Sequence, residues 1–135
     1  MAVRYISTRG SAPELSFREA VLAGLASDGG LYVPKTMPAF TTGEMTAMRS
    51  LPYAELAYQI ISRFVDRDSV ASAVLKRIIQ ESYASFRHPD VAPLKHLGED
   101  TYLLELFHGP TLAFKDFALQ FLGRLLGHIF GESHE

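Results

Sequence analysis

The 135-residue sequence has no cysteine, which excludes disulfides, thiolate metal sites and cysteine nucleophiles. It also has almost no excess charge, because 13 basic and 15 acidic residues give a formal net charge of -2. This balance gives no electrostatic reason to expect nucleic acid or an anionic membrane as a partner. The N-terminal residues contain no apolar run typical of a signal peptide. We therefore expect a cytoplasmic protein.

Long apolar runs are lacking as well. The longest, around residues 117–130, is interrupted by Gln120, Arg124 and His128. It is too short and too polar to cross a bilayer. We therefore expect no membrane partner.

The chain is divided by breaks rather than by changes in composition. Hydrophobic residues make up 47% and charged residues 21%, which is ordinary for a globular protein. The strongest break is His88-Pro89-Asp90. It predicts an α/β module at residues 1–89 and the beginning of a second domain at residues 90–135.

Two short strands and one helix are predicted before residue 40. The strands are Val3–Ser7 and Leu31–Val33, and residues 8–16 are predicted as a loop. Ser16 and Glu19 have the spacing of a capping box, in which each residue's side chain binds the other's backbone N–H. This pair predicts where the helix begins.

The helix is expected to end before the sequence Asp28-Gly29-Gly30. Both glycines are expected to adopt the positive φ angles of a helix stop and tight turn. A phosphate-binding loop is not indicated here, because the G-x-G-x-x-G spacing and a following helix are absent.

Three helices and a hairpin are predicted in the middle of the chain. The helical patterns cover residues 42–49, 52–65 and 68–86, the last with Asp68 as its expected cap. Two strands follow at residues 91–97 and 101–107, joined by a turn at residues 98–100.

The last predicted helix, residues 114–130, is apolar over more than half of its circumference. A helix of this kind has to be buried on several sides. Gly123 and Gly127 would let another backbone approach it closely. The preceding strands and helices offer too little surface to cover it, so we expect its partners to lie outside this sequence and the chain to be the N-terminal part of a longer protein.

Lys115 is the residue with the strongest indication of chemistry. It follows a Gly109-Pro110 turn and stands beside Phe114 and Phe117 near the start of the apolar helix. Apolar surroundings disfavour an ammonium ion, and a lysine that is partly neutral can form a Schiff base. Spacing alone favours the simpler interpretation, a lysine whose head group stays in water.

The histidines do not form a metal-binding pattern. None of the five stands in the i, i+4 arrangement of a zinc site on a helix. His108, at the end of a predicted strand, is interpreted as a loop histidine held by a hydrogen bond, and a polar pocket residue is the alternative.

Residues 105–119, ELFHGPTLAFKDFAL, resemble the pyridoxal-phosphate attachment region of the threonine synthase family, within the tryptophan-synthase-β-like class. Residues 16–34 resemble the N-terminal module of the same family. The two stretches stand in the expected order. The resemblance covers essentially this whole chain but only about the first third of a typical family member.

The resemblance implies a mixed α/β fold, a small N-terminal module followed by the start of a tryptophan-synthase-β-like pyridoxal-phosphate domain. It implies conversion of O-phospho-L-homoserine and water to L-threonine and phosphate, with pyridoxal 5'-phosphate as cofactor. Lys115 would form the Schiff base and move protons, and Phe114 and Asp116 would shape the pocket beside it. The oligomeric state is left open.

The same resemblance places the glycine-rich cup for the cofactor phosphate after residue 135. We therefore expect the 135 residues alone to be inactive and to bind the cofactor weakly at best. One alternative is another enzyme of the same cofactor class with a different substrate. The other is a non-catalytic interaction domain that uses its exposed apolar helix to bind a partner.

Overall fold

The structure is a computed structural model that describes residues 3–132. It contains five strands, β1 Arg4–Ser7, β2 Leu15–Ser16, β3 Tyr32–Pro34, β4 Leu94–Gly98 and β5 Thr101–Leu104, and five helices, α1 Phe17–Ala23, α2 Thr42–Met48, α3 Tyr53–Ile61, α4 Ser72–Tyr83 and α5 Asp116–Glu132. No helix within this described part is long and apolar enough to cross a membrane.

Contacts divide the chain into two compact units. The first contains the residues up to Ser50 together with Tyr58–Leu75. The second contains Leu51–Ala57 together with the residues from Lys76 onward. The boundary predicted from the His88-Pro89-Asp90 break is not one of the borders between these two units, and the assignment of domains to residues 1–89 and 90–135 stays a prediction.

A three-stranded antiparallel sheet organises the first unit, in the order β2-β1-β3. Tyr5 pairs with Leu15 on one side and with Pro34 on the other. The predicted strands β1 and β3 are confirmed to within a residue at each end. The prediction of a loop at residues 8–16 is wrong at its end, because β2 is only two residues long and has no alternating pattern to detect.

The capping box at the start of α1 is confirmed. The Ser16 backbone N–H donates to Glu19 Oε2 at 2.8 Å, and the Glu19 N–H donates to Ser16 Oγ at 3.3 Å. The helix ends earlier than predicted, at Ala23, because Gly24 adopts a φ of 67° and its N–H binds the Ala20 carbonyl.

The Gly29-Gly30 pair forms the predicted turn, but the two glycines serve different purposes. Gly29 has a φ of 78°, as predicted, whereas Gly30 does not have a positive φ. Gly30 is required for space, since a Cβ there would collide with Ser7 Oγ and lie 3.0 Å from Asp28 Oδ1. The prediction of a positive φ at both glycines is therefore wrong for the second.

The Asp28 carboxylate holds this turn against the preceding loop. It accepts hydrogen bonds from the Ser7 hydroxyl at 2.7 Å and from the backbone N–H groups of Gly30, Ser11 and Ala12 at 2.9, 2.9 and 3.0 Å. The Ser7 hydrogen bond, with help from the three N–H groups, outweighs burial and lowers the pKa of Asp28 to about 2.

We expect this pKa to make stability depend on pH. An unfolded aspartate has a pKa of about 3.9, and a depressed folded pKa stabilises the fold fully above the unfolded value. The contribution is lost as pH falls from about 4 towards 2. Asp28→Asn should therefore be less stable than the parent at pH 7. The difference in free energy of unfolding between the two proteins should become smaller as pH falls from about 4 towards 2.

Urea unfolding of the parent and of Asp28→Asn at pH 7, 4 and 2.5 measures this difference in free energy of unfolding. Asp100→Asn is the matched control, because Asp100 is an exposed residue of the β4–β5 turn. A gap between Asp28→Asn and the parent that stays constant from pH 7 to pH 2.5 would contradict the prediction.

The three middle helices are confirmed in type, but α3 and α4 are shorter than predicted. Helix α2 also begins with a capping box, formed by Thr41 and Glu44. Asp68 does not cap α4, which begins at Ser72. Instead the Asp66 carboxylate binds the backbone N–H and hydroxyl of Ser69, both at 2.9 Å, which stabilises a separate turn before the helix.

The second unit contains the predicted hairpin. Strands β4 and β5 pair antiparallel, with Leu94 opposite Leu104 and an irregular register between His96 and Gly98. Each strand is shorter than predicted, and all their residues are exposed.

Helix α5 packs in this unit through one face. Leu125 and Ile129 are buried. The Ser82 hydroxyl at the end of α4 donates to the Gln120 carbonyl at 3.1 Å. The Tyr83 hydroxyl donates to the Phe117 carbonyl at 3.2 Å. These contacts fix the first two turns of α5 against α4.

The opposite face of α5 is open within the described residues. Leu119 and Phe130 are exposed. Positions 123 and 127 would admit a Cβ with no atom within 4 Å. Full burial of this helix by partners outside the sequence stays a prediction.

Candidate functional site

The segment between β5 and α5, residues 105–115, contains no regular secondary structure except turns. The Leu112 N–H donates to the Gly109 carbonyl at 3.1 Å, and Leu112 adopts a φ of 64°. The Asp116 N–H donates to the Ala113 carbonyl at 3.0 Å. Two successive turns therefore carry the chain into the first residue of α5.

The Asp116 side chain stabilises these turns through hydrogen bonds. It is only 2% exposed. Its carboxylate accepts one hydrogen bond from the Thr111 backbone N–H and one from the Thr111 hydroxyl, both at 2.8 Å. Gly109 lies directly against it, since a Cβ there would be 2.5 Å from Asp116 Cβ and 2.8 Å from its Cγ. The site therefore needs a glycine at position 109.

The charge of Asp116 is favoured despite its position inside the loop. Burial acts to raise the pKa of Asp116, but the hydrogen bonds from the Thr111 hydroxyl and backbone N–H outweigh it. With smaller contributions from Gln120 and Ala113, the pKa lies below its ordinary value. A carboxylate at the first residue of a helix also interacts favourably with the helix dipole.

Lys115 lies one residue before this anchor, on the wall of a pocket of about 420 Å³. It is the one charged residue among those that line the pocket. The other lining residues are apolar, namely Leu106, Phe114, Phe117, Ala118 and Leu119. The expected apolar surroundings of this lysine are therefore found, with the difference that Lys115 and Phe114 are both exposed in this chain.

The four lysines of the sequence have different surroundings. Lys35 pairs with Glu14 at 2.7 Å, and Lys76 pairs with Glu55 at 3.0 Å. Lys95 lies on the exposed strand β4. Among the residues that the structure describes, Lys115 is the lysine that combines an apolar pocket with the lack of a carboxylate partner. An amine in that situation is available for covalent chemistry.

The three predicted site residues therefore occupy two places. Phe114 and Lys115 line one pocket. The Asp116 side chain is not among the lining residues and binds the loop instead. The sequence pattern predicts no role for Thr111 and predicts Gly109 only as part of a turn, although their short spacing from Asp116 is a local signal that is compatible with a loop anchor.

The interpretation of His108 as a hydrogen-bonded loop residue is confirmed. Its Nε2 lies 2.7 Å from Glu105 Oε2. Among residues 3–132, no group of three or more histidine, aspartate or glutamate side chains is placed to hold a metal ion.

Comparison with known proteins gives a consistent result. The sequence model of the family described as "Threonine synthase N terminus" matches residues 4–83. The threonine synthase of Pseudomonas aeruginosa is 56% identical over 133 residues, and that of Schizosaccharomyces pombe is 47% identical over 123 residues. The matches include 98% and 91% of this chain, which spans 28% and 24% of the length of those relatives.

Solved structures agree with the sequence matches. The PLP-bound threonine synthase of Brucella melitensis superposes with a TM-score of 0.94 at 43% identity, over 99% of this chain and 29% of that one. Yeast threonine synthase gives a TM-score of 0.89 at 39% identity, over 96% of this chain and 27% of that one.

The fold is therefore the mixed α/β fold found in the N-terminal region of these solved structures. Together with the family match, which includes more than half of the chain, this leads to one identification. The chain belongs to the threonine synthase family. These findings confirm the family and fold predicted from the sequence, and they give no support to the alternative of a non-catalytic interaction domain.

Proposed function

We propose that the protein carrying this chain is a pyridoxal-phosphate-dependent threonine synthase, which converts O-phospho-L-homoserine and water to L-threonine and phosphate. The observation that carries this proposal is the position of Lys115, which lies on an apolar pocket just before α5 and has no carboxylate partner within residues 3–132. Membership of the threonine synthase family supports the same activity.

The residues at the pocket fit such a cofactor. Pyridoxal phosphate combines an aldehyde, which reacts with a primary amine, and a flat ring that packs against apolar side chains. The pocket offers one amine, Lys115 Nζ, on a wall that includes Phe114 and Phe117. When bound, the cofactor supplies an electron sink that stabilises a carbanion at the substrate's α carbon.

Each residue has a defined task in this proposal. Lys115 would hold the cofactor through Nζ and, when its amine is free, would accept and return a proton at that atom. Phe114 and Leu106 would exclude water from one side of the pocket. Asp116 would hold the turn before α5 and so orient Lys115, through its hydrogen bonds to Thr111.

The remaining parts of the proposal concern the protein around this site. We assign residues 1–89 to the N-terminal module and residues 90–135 to the beginning of the catalytic domain. The rest of that domain would cover the exposed face of α5. It would also supply the residues that bind the phosphate of the cofactor and the phosphate of the substrate. The enzyme would act in the cytoplasm.

Release of phosphate tests the activity directly. The complete gene product, loaded with pyridoxal phosphate, should release phosphate from O-phospho-L-homoserine and form an equal amount of L-threonine. O-phospho-L-serine, which is one carbon shorter, is the matched control and should give much slower release. Absence of L-threonine in the presence of bound cofactor would refute the proposal and would favour another enzyme of the same cofactor class.

A further inference from the structure

Glu105 and His108 form a side-chain pair that the proposed mechanism does not use. Glu105 Oε2 and His108 Nε2 are 2.7 Å apart, and the two side chains are only 14% and 19% exposed. Both residues follow strand β5, in the irregular segment that leads to Lys115. A short contact between partly buried polar groups restricts a chain more than an exposed ion pair does.

The pair is also anchored through its backbone. The Glu105 N–H donates to the Pro93 carbonyl at 3.0 Å, and the His108 carbonyl accepts from the Arg87 N–H at 2.9 Å. The His108 ring lies against the His88 ring, with centroids 4.9 Å apart. Glu105 and His108 are therefore fixed to Arg87, His88 and Pro93, which precede the β4–β5 hairpin.

The rest of the segment is fixed at its other end. Thr111 and Asp116 join through two hydrogen bonds of 2.8 Å, and Gly109 packs against the same carboxylate. No strand or helix holds residues 105–115, so their path depends on side-chain contacts together with a few isolated backbone hydrogen bonds. The Glu105–His108 pair defines the first half of this path.

On this geometry, and assuming the proposed function, we propose that Glu105 and His108 are positioning residues for Lys115. The pair fixes the entrance to the Gly109-Pro110 turn, so that the turn delivers the Lys115 amine to its pocket in one orientation. A shift of about 1 Å in a reacting group can cost about 10²-fold in rate. Loss of the pair is therefore expected to slow reactions of the Lys115 amine more than it weakens substrate binding.

The test compares Glu105→Ala with Glu105→Gln in the complete gene product. Glutamine keeps an oxygen that can accept from His108 Nε2–H, whereas alanine removes it. The rate at which added pyridoxal phosphate becomes fixed on Lys115 by borohydride is the first readout. Turnover of O-phospho-L-homoserine gives kcat and KM. Glu81→Ala, an exposed position on α4, is the matched control.

We expect Glu105→Ala to lower the fixation rate and kcat by about tenfold or more, with KM within about threefold of the parent. Glu105→Gln should recover most of both rates, and Glu81→Ala should match the parent. The double variant Glu105→Ala/His108→Ala should be no slower than the slower single variant, because each single change already breaks the pair.

Three results would overturn the positioning role. One is parental fixation and kcat in Glu105→Ala. Another is a lowered urea midpoint in Glu105→Ala with an unchanged fixation rate, which would show a purely structural pair. The third is a defect in Glu105→Gln as severe as in Glu105→Ala. Failure of the proposed function is distinguishable, because then the parent protein itself would form no L-threonine or would fix no cofactor on Lys115.

Discussion

Lys115→Ala is expected to abolish the borohydride-stable adduct between pyridoxal phosphate and the complete gene product. It should also lower the rate of L-threonine formation by at least about 10²- to 10⁴-fold, the range that a positioned proton-transfer group contributes. The reason is that Nζ of Lys115 is the amine on the apolar pocket at the start of α5. Mass spectrometry of peptides after borohydride treatment identifies the modified lysine.

Two further variants test whether the adduct requires the amine of Lys115. One keeps a positive charge at position 115, and the other removes a different lysine. Lys115→Arg keeps a positive charge, but a guanidinium stays protonated and does not replace the amine, so we expect no adduct. Lys95→Ala removes the exposed lysine of β4 and should leave adduct and turnover unchanged. Recovery of the cofactor on Lys95, Lys35 or Lys76 instead of Lys115 would refute the assignment.

The parts of the fold that could be predicted from sequence are those fixed by local signals. The Ser16–Glu19 capping box is one example, since both hydrogen bonds lie within four residues. The end of α1 was predicted too late, because Gly24 is a single glycine in an otherwise helical pattern. Strand β2 exists only through its pairing with β1, which no local pattern reveals.

At the site, too, local sequence patterns predict some features, whereas others depend on tertiary contacts. Spacing alone left Lys115 with an ordinary interpretation, and the resemblance of residues 105–119 pointed to its chemistry. The short spacing between Thr111 and Asp116 permits a loop anchor but does not establish one, because the two hydrogen bonds depend on how the turn brings Thr111 onto the carboxylate. Gly109 was predicted as part of a turn, whereas the structure shows a close packing contact with Asp116.

That contact gives the second large expected effect, for Gly109→Ala. The added Cβ would lie 2.5 Å from Asp116 Cβ and 2.8 Å from its Cγ, too close for any relaxed contact. Asp116 is buried and held by Thr111, so its carboxylate cannot simply move aside. Insertion of a methyl group into packed surroundings costs about 1 to 3 kcal/mol. We expect a loss of that size in urea unfolding of the complete gene product.

The same change should also reach the chemistry, because the displaced carboxylate is the residue next to Lys115. We expect the rate of cofactor fixation on Lys115 to fall together with stability. Gly43→Ala is the matched control, because Gly43 is an exposed residue of α2 where a Cβ would meet only Thr41 Oγ1, at an ordinary contact distance of 3.9 Å. This variant should keep the parental stability and fixation rate, or gain up to about 1 kcal/mol of stability from the higher helix propensity of alanine. Equal stability and fixation rates in Gly109→Ala and the parent would show that the loop tolerates a side chain at position 109, and that Asp116 does not hold Lys115 in place.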